Sequence, residues 1–468
     1  MKLSIIAQVE RFSFYIFVVL ALAACYSLEA QQEKLDPWLV EAMNRTDQPL
    51  AVVVTLAPVE QVASGFWGET PNPAEVEYHL KKRSVEIQWQ LRQQVDQWAK
   101  GNEGIKQIKY FWAANAMMAT VSHQLILEIA DLPEVNQILL DRRVQLSFGQ
   151  GAAEPQPEYT YGLQKIGVQE LREKDGEMTG KGVLVGILDT GIDANHPDLK
   201  GKVVAWKDFI DNKDKPYDDN KHGTHVAGTI AGGNFSGTQI GVAPEARLVI
   251  GKILSGRGGG KLSGILRAME WIANPDNSAA ATFRPRVVNN SWGGPMGNDL
   301  RNDPFVQAVH TWIDLQIFPS FAAGNEGPNP GTVGSPGGIP EAFAVGATDK
   351  DDKVTNFSSR GPVTVTDMDG NQKTYSKPEI SAPGRDIFSS VPGGGYDTFS
   401  GTSMATPHVT GVVALLCQAN PELKIADIKK ILMKSADPMG SSNGIENSYG
   451  SGRMNVVKAV DMIRQGAF

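Results

Sequence analysis

The chain of 468 residues is poor in cysteine, in long apolar runs and in excess basic charge. Its two cysteines, Cys25 and Cys417, exclude a disulfide framework and a cysteine-rich zinc site. The apolar run near the start covers only residues 12–24, whereas a helix that spans a bilayer needs about 20 residues. Lys and Arg number 44 against 52 Asp and Glu, and this net charge of −8 argues against a general affinity for nucleic acid or for an anionic membrane surface.

The remaining composition is that of an ordinary globular protein. Hydrophobic residues make up 41% and charged residues 21%, so the chain can bury a core. At roughly 100–200 residues per domain, the length predicts two or three domains. The 49 glycines and 27 prolines indicate many tight turns.

Residues 1–25 have the pattern of a secretory signal peptide, in which basic residues precede a short apolar run and small residues follow it. Two endings stay open. Ala-Leu-Ala at 21–23 fits cleavage by signal peptidase, whereas Leu-Ala-Ala-Cys at 22–25 resembles a lipobox, in which Cys25 would carry a lipid. A third interpretation is a helix packed in a core. We expect an exported protein, either extracellular or in the cell envelope.

Residues 31–148 form one compositional unit with the element order β-α-β-β-α-β, which is the order of the ferredoxin-like split motif. The strands are predicted from β-branched and alternating runs and the helices from apolar periodicity. The following stretch, GQGAAEPQP at 149–157, has the composition of a linker. The predicted strands are 51–56, 105–111, 115–121 and 135–140, and the predicted helices are 73–100 and 123–132.

From about residue 160, short apolar runs alternate with helical segments, which predicts a parallel sheet covered by helices on both faces. In such sheets, functional groups collect where strands end and helices begin. The predicted strands are 183–188, 247–254, 287–290, 317–323 and 342–347, and the predicted helices are 223–231, 262–272, 304–315 and 403–419.

Three polar side chains stand at such junctions: Asp189 ends a strand, His222 opens a helix, and Ser403 begins another. Taken singly, each has a structural interpretation, as a turn aspartate, a buried hydrogen-bonded histidine or a helix-capping serine. His222 and His225 could also share a metal, but the glutamate of H-E-x-x-H and a third ligand are missing. Taken together, an aspartate, a histidine and a serine are the parts of an acyl-transfer triad.

The segments that carry these residues are D-T-G-I-D (189–193), H-G-T-H-V-A-G-T (222–229) and G-T-S-M-A-T-P-H (401–408), with A-A-G-N-E-G at 322–327. They resemble the hallmark segments of the subtilisin-like serine proteases, the subtilases, and the order Asp, His, Ser is also that of subtilisin. The similarity runs from about residue 164 to residue 460. It implies an α/β fold, a three-layer α/β/α arrangement with a mostly parallel sheet.

The resemblance also implies roles for single residues. Ser403 would attack the peptide carbonyl, His222 would act as general base and then general acid, and Asp189 would orient the imidazole. The side-chain amide of Asn325 and the backbone N–H of Ser403 would stabilise the oxyanion. Substrate would bind as an extended strand. The residues assigned to substrate binding are Gly258, Gly259, Gly260, Ser291, Trp292, Gly293, Gly294, Ala323, Gly324 and Gly334.

The residues assigned to the pocket for the P1 side chain, which precedes the cut bond, are small and mostly uncharged, with Gly334 at the floor. We therefore expect an open pocket for large apolar side chains, and Glu326 at its rim would permit a basic one. The chemistry requires no cofactor. A structural calcium ion occurs in many subtilases, and Asp198 matches one ligand, but Phe235 replaces an expected amide ligand. This departure argues against a tight calcium site.

Residues 31–148 are similar to the inhibitory α+β propeptide of subtilases, in part through A-D-L-P-E-V at 130–135. We expect Ser403 to remove this unit by cutting between Leu146 and Glu158, within or beside the linker at 149–158. The expected product is a catalytic domain of residues 159–468, without a further domain. Its partners would be protein or peptide substrates and its own propeptide, but no nucleic acid, and we expect a monomer.

Three other functions stay open at this point. A non-catalytic binding scaffold is disfavoured, because Asp189, His222, Asn325 and Ser403 are all intact. A processing protease of narrow specificity would be expected to have an acidic cluster around the cleft, which the sequence lacks. An intracellular subtilase is opposed by the signal-like start.

Overall fold

The computed structural model describes residues 33–59, 72–101, 104–151, 157–440 and 446–468. The predicted signal segment with Cys25, and residues 152–156 of the predicted linker, lie outside them. The described chain divides into two compact units. The smaller unit holds the chain up to Val59 together with Arg83–Tyr110 and Asn115–Asp141, and the larger holds residues 72–82, Phe111–Ala114 and Arg142–Phe468.

The smaller unit is built on a four-stranded antiparallel sheet with the spatial order β2-β3-β1-β4. The central strand is rich in β-branched residues, and Val52, Val54 and Leu56 contribute alternate side chains to the core. The predicted ferredoxin-like element order is confirmed. The elements are α1 Pro37–Arg45, β1 Leu50–Leu56, α2 Pro73–Gly101, β2 Ile105–Phe111, β3 Ala116–Val121, α3 His123–Ala130 and β4 Val135–Leu140. Residues 73–82 of α2 and Phe111 of β2 belong to the larger unit.

The larger unit contains the remaining strands. They are β5 Arg143–Gln145, β6 Gly149–Gly151, β7 Leu184–Asp189, β8 Val203–Asp208, β9 Arg247–Lys252, β10 Gly259–Lys261, β11 Val287–Asn290, β12 Phe318–Ala322, β13 Phe343–Thr348, β14 Val363–Thr366, β15 Gln372–Tyr375, β16 Ile380–Pro383, β17 Ile387–Val391 and β18 Gly395–Ser400. Its helices are α4 Tyr161–Lys165, α5 Val168–Lys174, α6 His222–Ala231, α7 Leu262–Ala273, α8 Val306–Asp314, α9 Thr402–Ala419, α10 Ile425–Ser435 and α11 Val456–Gln465.

Seven of these strands form one parallel sheet in the order β16-β13-β12-β11-β7-β9-β8. Helices α6 and α9 pack together over one face, and α7 and α8 pack together over the other. Covering both faces makes the inner strands largely apolar, although Asn289 and Asn290 of β11 and Ser320 of β12 are buried polar residues. The predicted three-layer α/β/α fold is confirmed, although the edge strands β8 and β16 were not predicted. Strand β8 is half-buried and carries a lysine and an aspartate, and β16 is only four residues long.

The parallel sheet brings four chain segments to its carboxyl edge. Strand β7 ends at Asp189, β12 is followed by the loop that contains Asn325, and helices α6 and α9 begin with His222 and Thr402. None of the helices in the described part of the chain has the length and apolarity that a membrane span needs.

Candidate active site

Asp189 and His222 meet at the end of β7, where both side chains are completely buried. Nδ1 of His222 lies 2.8 Å from Oδ1 of Asp189, which also accepts the backbone N–H of Thr190 at 2.7 Å. Gly223 makes this approach possible, because a Cβ there would lie 2.1 Å from the carbonyl oxygen of Gly191. Nε2 of His222 has no hydrogen-bond partner among the described residues, so this nitrogen is available to accept a proton.

Ser403 is the second residue of α9 and is 3% exposed. Its hydroxyl donates to the carbonyl oxygen of Ser291 at 3.0 Å, and the Ser291 hydroxyl donates to the carbonyl oxygen of Ser403 at 2.8 Å. Gly401 is the N-cap residue, so Ser403 does not cap the helix. The Ser403 hydroxyl is thus bonded to Ser291 and not to His222. The role expected of Ser403 therefore requires its side chain to rotate toward His222, an adjustment of the kind expected on formation of the reactive complex.

Asn325 is held by a residue that was not predicted from the sequence, Thr402. Oδ1 of Asn325 accepts both the backbone N–H of Thr402, at 2.9 Å, and its hydroxyl, at 3.0 Å. These bonds fix which end of the amide carries the hydrogens. Nδ2 of Asn325 then donates to the carbonyl oxygen of Ser147 at 2.6 Å. The only sequence signal for Thr402 is its position beside Ser403.

The chain on the amino-terminal side of Ser147 runs along the predicted glycine edge as an added strand. Strand β5 pairs antiparallel with β10, with Gln145 opposite Gly259 and Val144 opposite Gly260. The backbone N–H of Leu146 donates to the carbonyl oxygen of Gly258 at 2.9 Å. The chain itself therefore occupies the edge that the sequence assigns to substrate.

The chain on the carboxyl-terminal side of Ser147 is held as well. The ring of Phe148 lies 4.8 Å from the His222 ring and 4.9 Å from the ring of Phe399, measured between centroids. Residues 149–151 then form β6, which pairs antiparallel with β18. Neither β18 nor Phe399 was predicted to touch substrate, and only proximity to Ser403 in the sequence could have pointed to them.

A cavity of about 860 Å³ adjoins residues 142–147. The ring of Trp292 packs on Phe305 and Phe321, and Gly294 and Ser335 exchange two backbone hydrogen bonds across the cavity wall. The glycine edge at 258–260 lies outside the lining. The predicted substrate residues that line the cavity are Ser291, Trp292, Gly293, Gly294, Ala323, Gly324 and Gly334.

Glu326, expected at the rim, lies in the cavity lining, and its carboxylate accepts the hydroxyl of Ser359 at 3.1 Å. The backbone N–H of Glu326 also donates to the oxygen of that hydroxyl at 3.1 Å. The carboxylate is therefore tethered to the wall rather than directed freely into the pocket.

The neighbouring histidines are structural. Burial lowers the pKa of His225 to about 3, and its Nε2 lies 2.9 Å from the carbonyl oxygen of Ile387. Burial likewise lowers the pKa of His408 to about 4. Both rings are therefore neutral at pH 7. No group of three or more His, Cys, Asp or Glu side chains able to hold a metal occurs in the described part of the chain.

The residues around Asp198 do not fit the calcium ion that the family resemblance suggests. Oδ1 of Asp198 accepts the backbone N–H of Phe235 at 2.8 Å, and Oδ2 accepts the hydroxyl of Tyr396. The Phe235 side chain is 72% exposed and offers no oxygen. Both carboxylate oxygens of Asp198 are thus already engaged by hydrogen-bond donors, and the Phe235 side chain cannot supply an oxygen ligand, which argues against a calcium ion there.

Comparison with known proteins gives one family and several relatives. The model of the subtilase family matches residues 180–452, more than half of the chain. Bacillopeptidase F of Bacillus subtilis (strain 168) is 36% identical over 400 residues, which are 78% of this chain and 27% of that protein. Serine protease AprX of the same strain is 38% identical over 319 residues, 62% of this chain and 69% of that protein. Subtilisin E, also from that strain, is 35% identical over 363 residues, 77% of this chain and 84% of that protein.

Proposed function

The chain belongs to the subtilase family of serine peptidases, and from this premise we propose that it is an endopeptidase made as a self-processing zymogen. Asp189, His222 and Ser403 are its triad, and Asn325 is its oxyanion donor. The observation that carries the proposal is the bond from Nδ2 of Asn325 to the carbonyl oxygen of Ser147. This bond supports Ser147–Phe148 as the bond that is cut, and it lies within the stretch from Leu146 to Glu158 predicted from the sequence.

The proposed reaction uses groups already described. Ser403 Oγ attacks the carbonyl carbon of Ser147 while Nε2 of His222 takes the hydroxyl proton. The amide of Asn325 stabilises the charge that develops on the Ser147 oxygen. The tetrahedral intermediate collapses as His222 protonates the nitrogen of Phe148, which leaves an ester between Ser147 and Ser403. Water, activated by His222, then hydrolyses that ester.

We propose a broad specificity for the mature enzyme. The support is that recognition along β10 and β18 uses backbone hydrogen bonds, which any extended peptide can form. The cavity beside Ser147 is lined mainly by small, uncharged residues. We therefore infer that the P1 pocket accepts large apolar side chains and does not require a basic one.

The remaining proposals concern export, inhibition by the propeptide, oligomeric state and calcium. The signal-like residues 1–25 support export, with Cys25 as a lipid anchor in the second interpretation. Residues 31–148 are proposed as the inhibitory propeptide, and the occupation of β10 and β18 by residues 143–151 supports this role. The product is proposed to act as a monomer without a cofactor and without a calcium ion at Asp198.

Mass spectrometry of purified wild type and Ser403→Ala tests the proposal. Wild type should yield a fragment that begins at Phe148, and Ser403→Ala should keep the two segments joined because it lacks the nucleophile. Equal processing in both would overturn self-cleavage, and a different new amino terminus would overturn the proposed bond. The same spectra report whether Cys25 carries a lipid.

A further inference from the structure

We propose that β14 closes the far end of the P1 pocket and that Val363 and Val365 set the size of the side chain that the pocket accepts. The inference rests on the proposed endopeptidase function and adds a specificity-determining element to it. Neither valine lies in a hallmark segment of the sequence, and the β14–β15 hairpin was not predicted.

The position of β14 carries the inference. The lining of the cavity beside Ser147 includes the segments at 291–294 and 322–325, together with Ser403, and also residues 362–365, which contain the start of β14. Val363 and Val365 are 6% and 1% exposed, whereas Thr364 between them is exposed and its hydroxyl pairs with that of Thr374 across the hairpin. Strand alternation therefore separates an apolar side of β14 from a polar one.

The hairpin is fixed to both walls of the pocket. On one wall, the backbone N–H of Thr366 donates to the carbonyl oxygen of Asn298 at 2.7 Å. On the other, the backbone N–H of Thr332 donates to the carbonyl oxygen of Arg360 at 2.8 Å, and the Arg360 N–H donates to the Thr332 hydroxyl at 2.9 Å. β14 is therefore anchored directly through Thr366 at its end and indirectly through Arg360, three residues before its start, which argues for a fixed element and not a movable flap.

The chemistry of the lining indicates what such an end would contact. Met296, Val333, Val363 and Val365 line the cavity together with the polar Thr332 and Thr364. The sulfur of Met296 lies so close to Gly338 that a Cβ there would be 2.0 Å from it. An apolar end contacts the tip of a long apolar side chain and leaves a short one untouched. Ser147 in the chain's own cleavage site is short, so a longer residue at that position should use contacts that Ser147 does not.

Two matched series of measurements test the inference. The first compares kcat/KM for peptides with Ala, Leu or Phe at P1, using wild type, Val365→Trp, Val365→Ala and the control Thr374→Trp on the exposed side of the hairpin. Filling the pocket with Val365→Trp should reduce cleavage after Phe by about tenfold or more and leave cleavage after Ala within about twofold. Thr374→Trp should preserve the wild-type profile. Val365→Ala enlarges the pocket, so it should keep cleavage after Phe close to wild type.

The second series uses the chain's own bond. Ser147→Phe should speed self-processing in the wild-type background, and Val365→Trp should remove that gain. An unchanged Phe-to-Ala ratio in Val365→Trp, with thermal unfolding that shows the variant folded, would overturn the role of β14. Absence of cleavage by wild type itself would instead overturn the proposed function, so the two failures are distinguishable.

Discussion

The chemical centre and the edges that hold the chain are built on different principles. At the centre, the buried side chains of Asp189 and His222 meet at the end of a strand and the start of a helix. At the edges, β10 and β18 hold the chain through backbone groups. The centre works only with particular side chains, whereas an edge needs mainly enough room for the backbone of a bound peptide to approach. Substitutions at the centre should therefore cost far more activity than substitutions along the edges.

Asp189→Asn should lower kcat by about 10⁴-fold, because an amide in place of the carboxylate favours the wrong tautomer of His222. The matched control is Asp193→Asn in the same motif, whose carboxylate accepts the backbone N–H groups of Asn195 and Gly393. Steady-state kinetics on one peptide should separate the two by at least about 10³-fold. Similar losses of kcat in both variants would contradict a specific role of the Asp189 carboxylate in catalysis.

Asn325→Ala should lower kcat by about 10²–10³-fold, since one preorganised donor to the oxyanion is lost. Thr402→Val should cost less, because the backbone N–H of Thr402 still holds the amide. Thr402→Ser, which keeps the hydroxyl, should retain near wild-type kcat. A Thr402→Val variant with unchanged kcat would show that the amide of Asn325 is oriented without the hydroxyl.

Gly260→Ala and Gly259→Ala test the edge. A Cβ on Gly260 would lie 2.1 Å from the backbone oxygen of Ile253, whereas a Cβ on Gly259 would meet only the side-chain end of Gln145 at 2.8 Å. We expect Gly260→Ala to lower both the melting temperature and kcat/KM, and Gly259→Ala to change them little. Thermal unfolding and peptide kinetics of the two variants check this. Equal effects would contradict the idea that the room available for a side chain decides which edge positions tolerate substitution.

Removal of divalent cations should have the smallest effect. Because Asp198 is satisfied by Phe235 and Tyr396, excess EDTA should leave the melting temperature of Ser403→Ala unchanged. Tyr396→Phe should lower it, since a buried acceptor loses its donor at a cost of about 1–3 kcal/mol. A fall in melting temperature on adding EDTA, reversed by calcium, would contradict the calcium-free interpretation.

Most of the fold and the chemical centre could be predicted because their causes are local in the sequence. Apolar runs such as the one that becomes β7 reveal inner strands, and Asp189, His222 and Ser403 lie in glycine-rich motifs. Thr402 and Val365 could not be predicted in the same way. Their roles arise from what the fold places beside them, Asn325 in one case and the cavity in the other.

The uncut chain also determines the kinetic order of its own first reaction. Strands β5 and β6 present the Ser147–Phe148 bond from within the same molecule, so the bond experiences an effective concentration set by the chain and not by the solution. Self-processing should therefore be first order, with a half-time that does not change when the protein is diluted. Cleavage of another molecule would slow in proportion to dilution, and it would also have to displace a strand that is already in place.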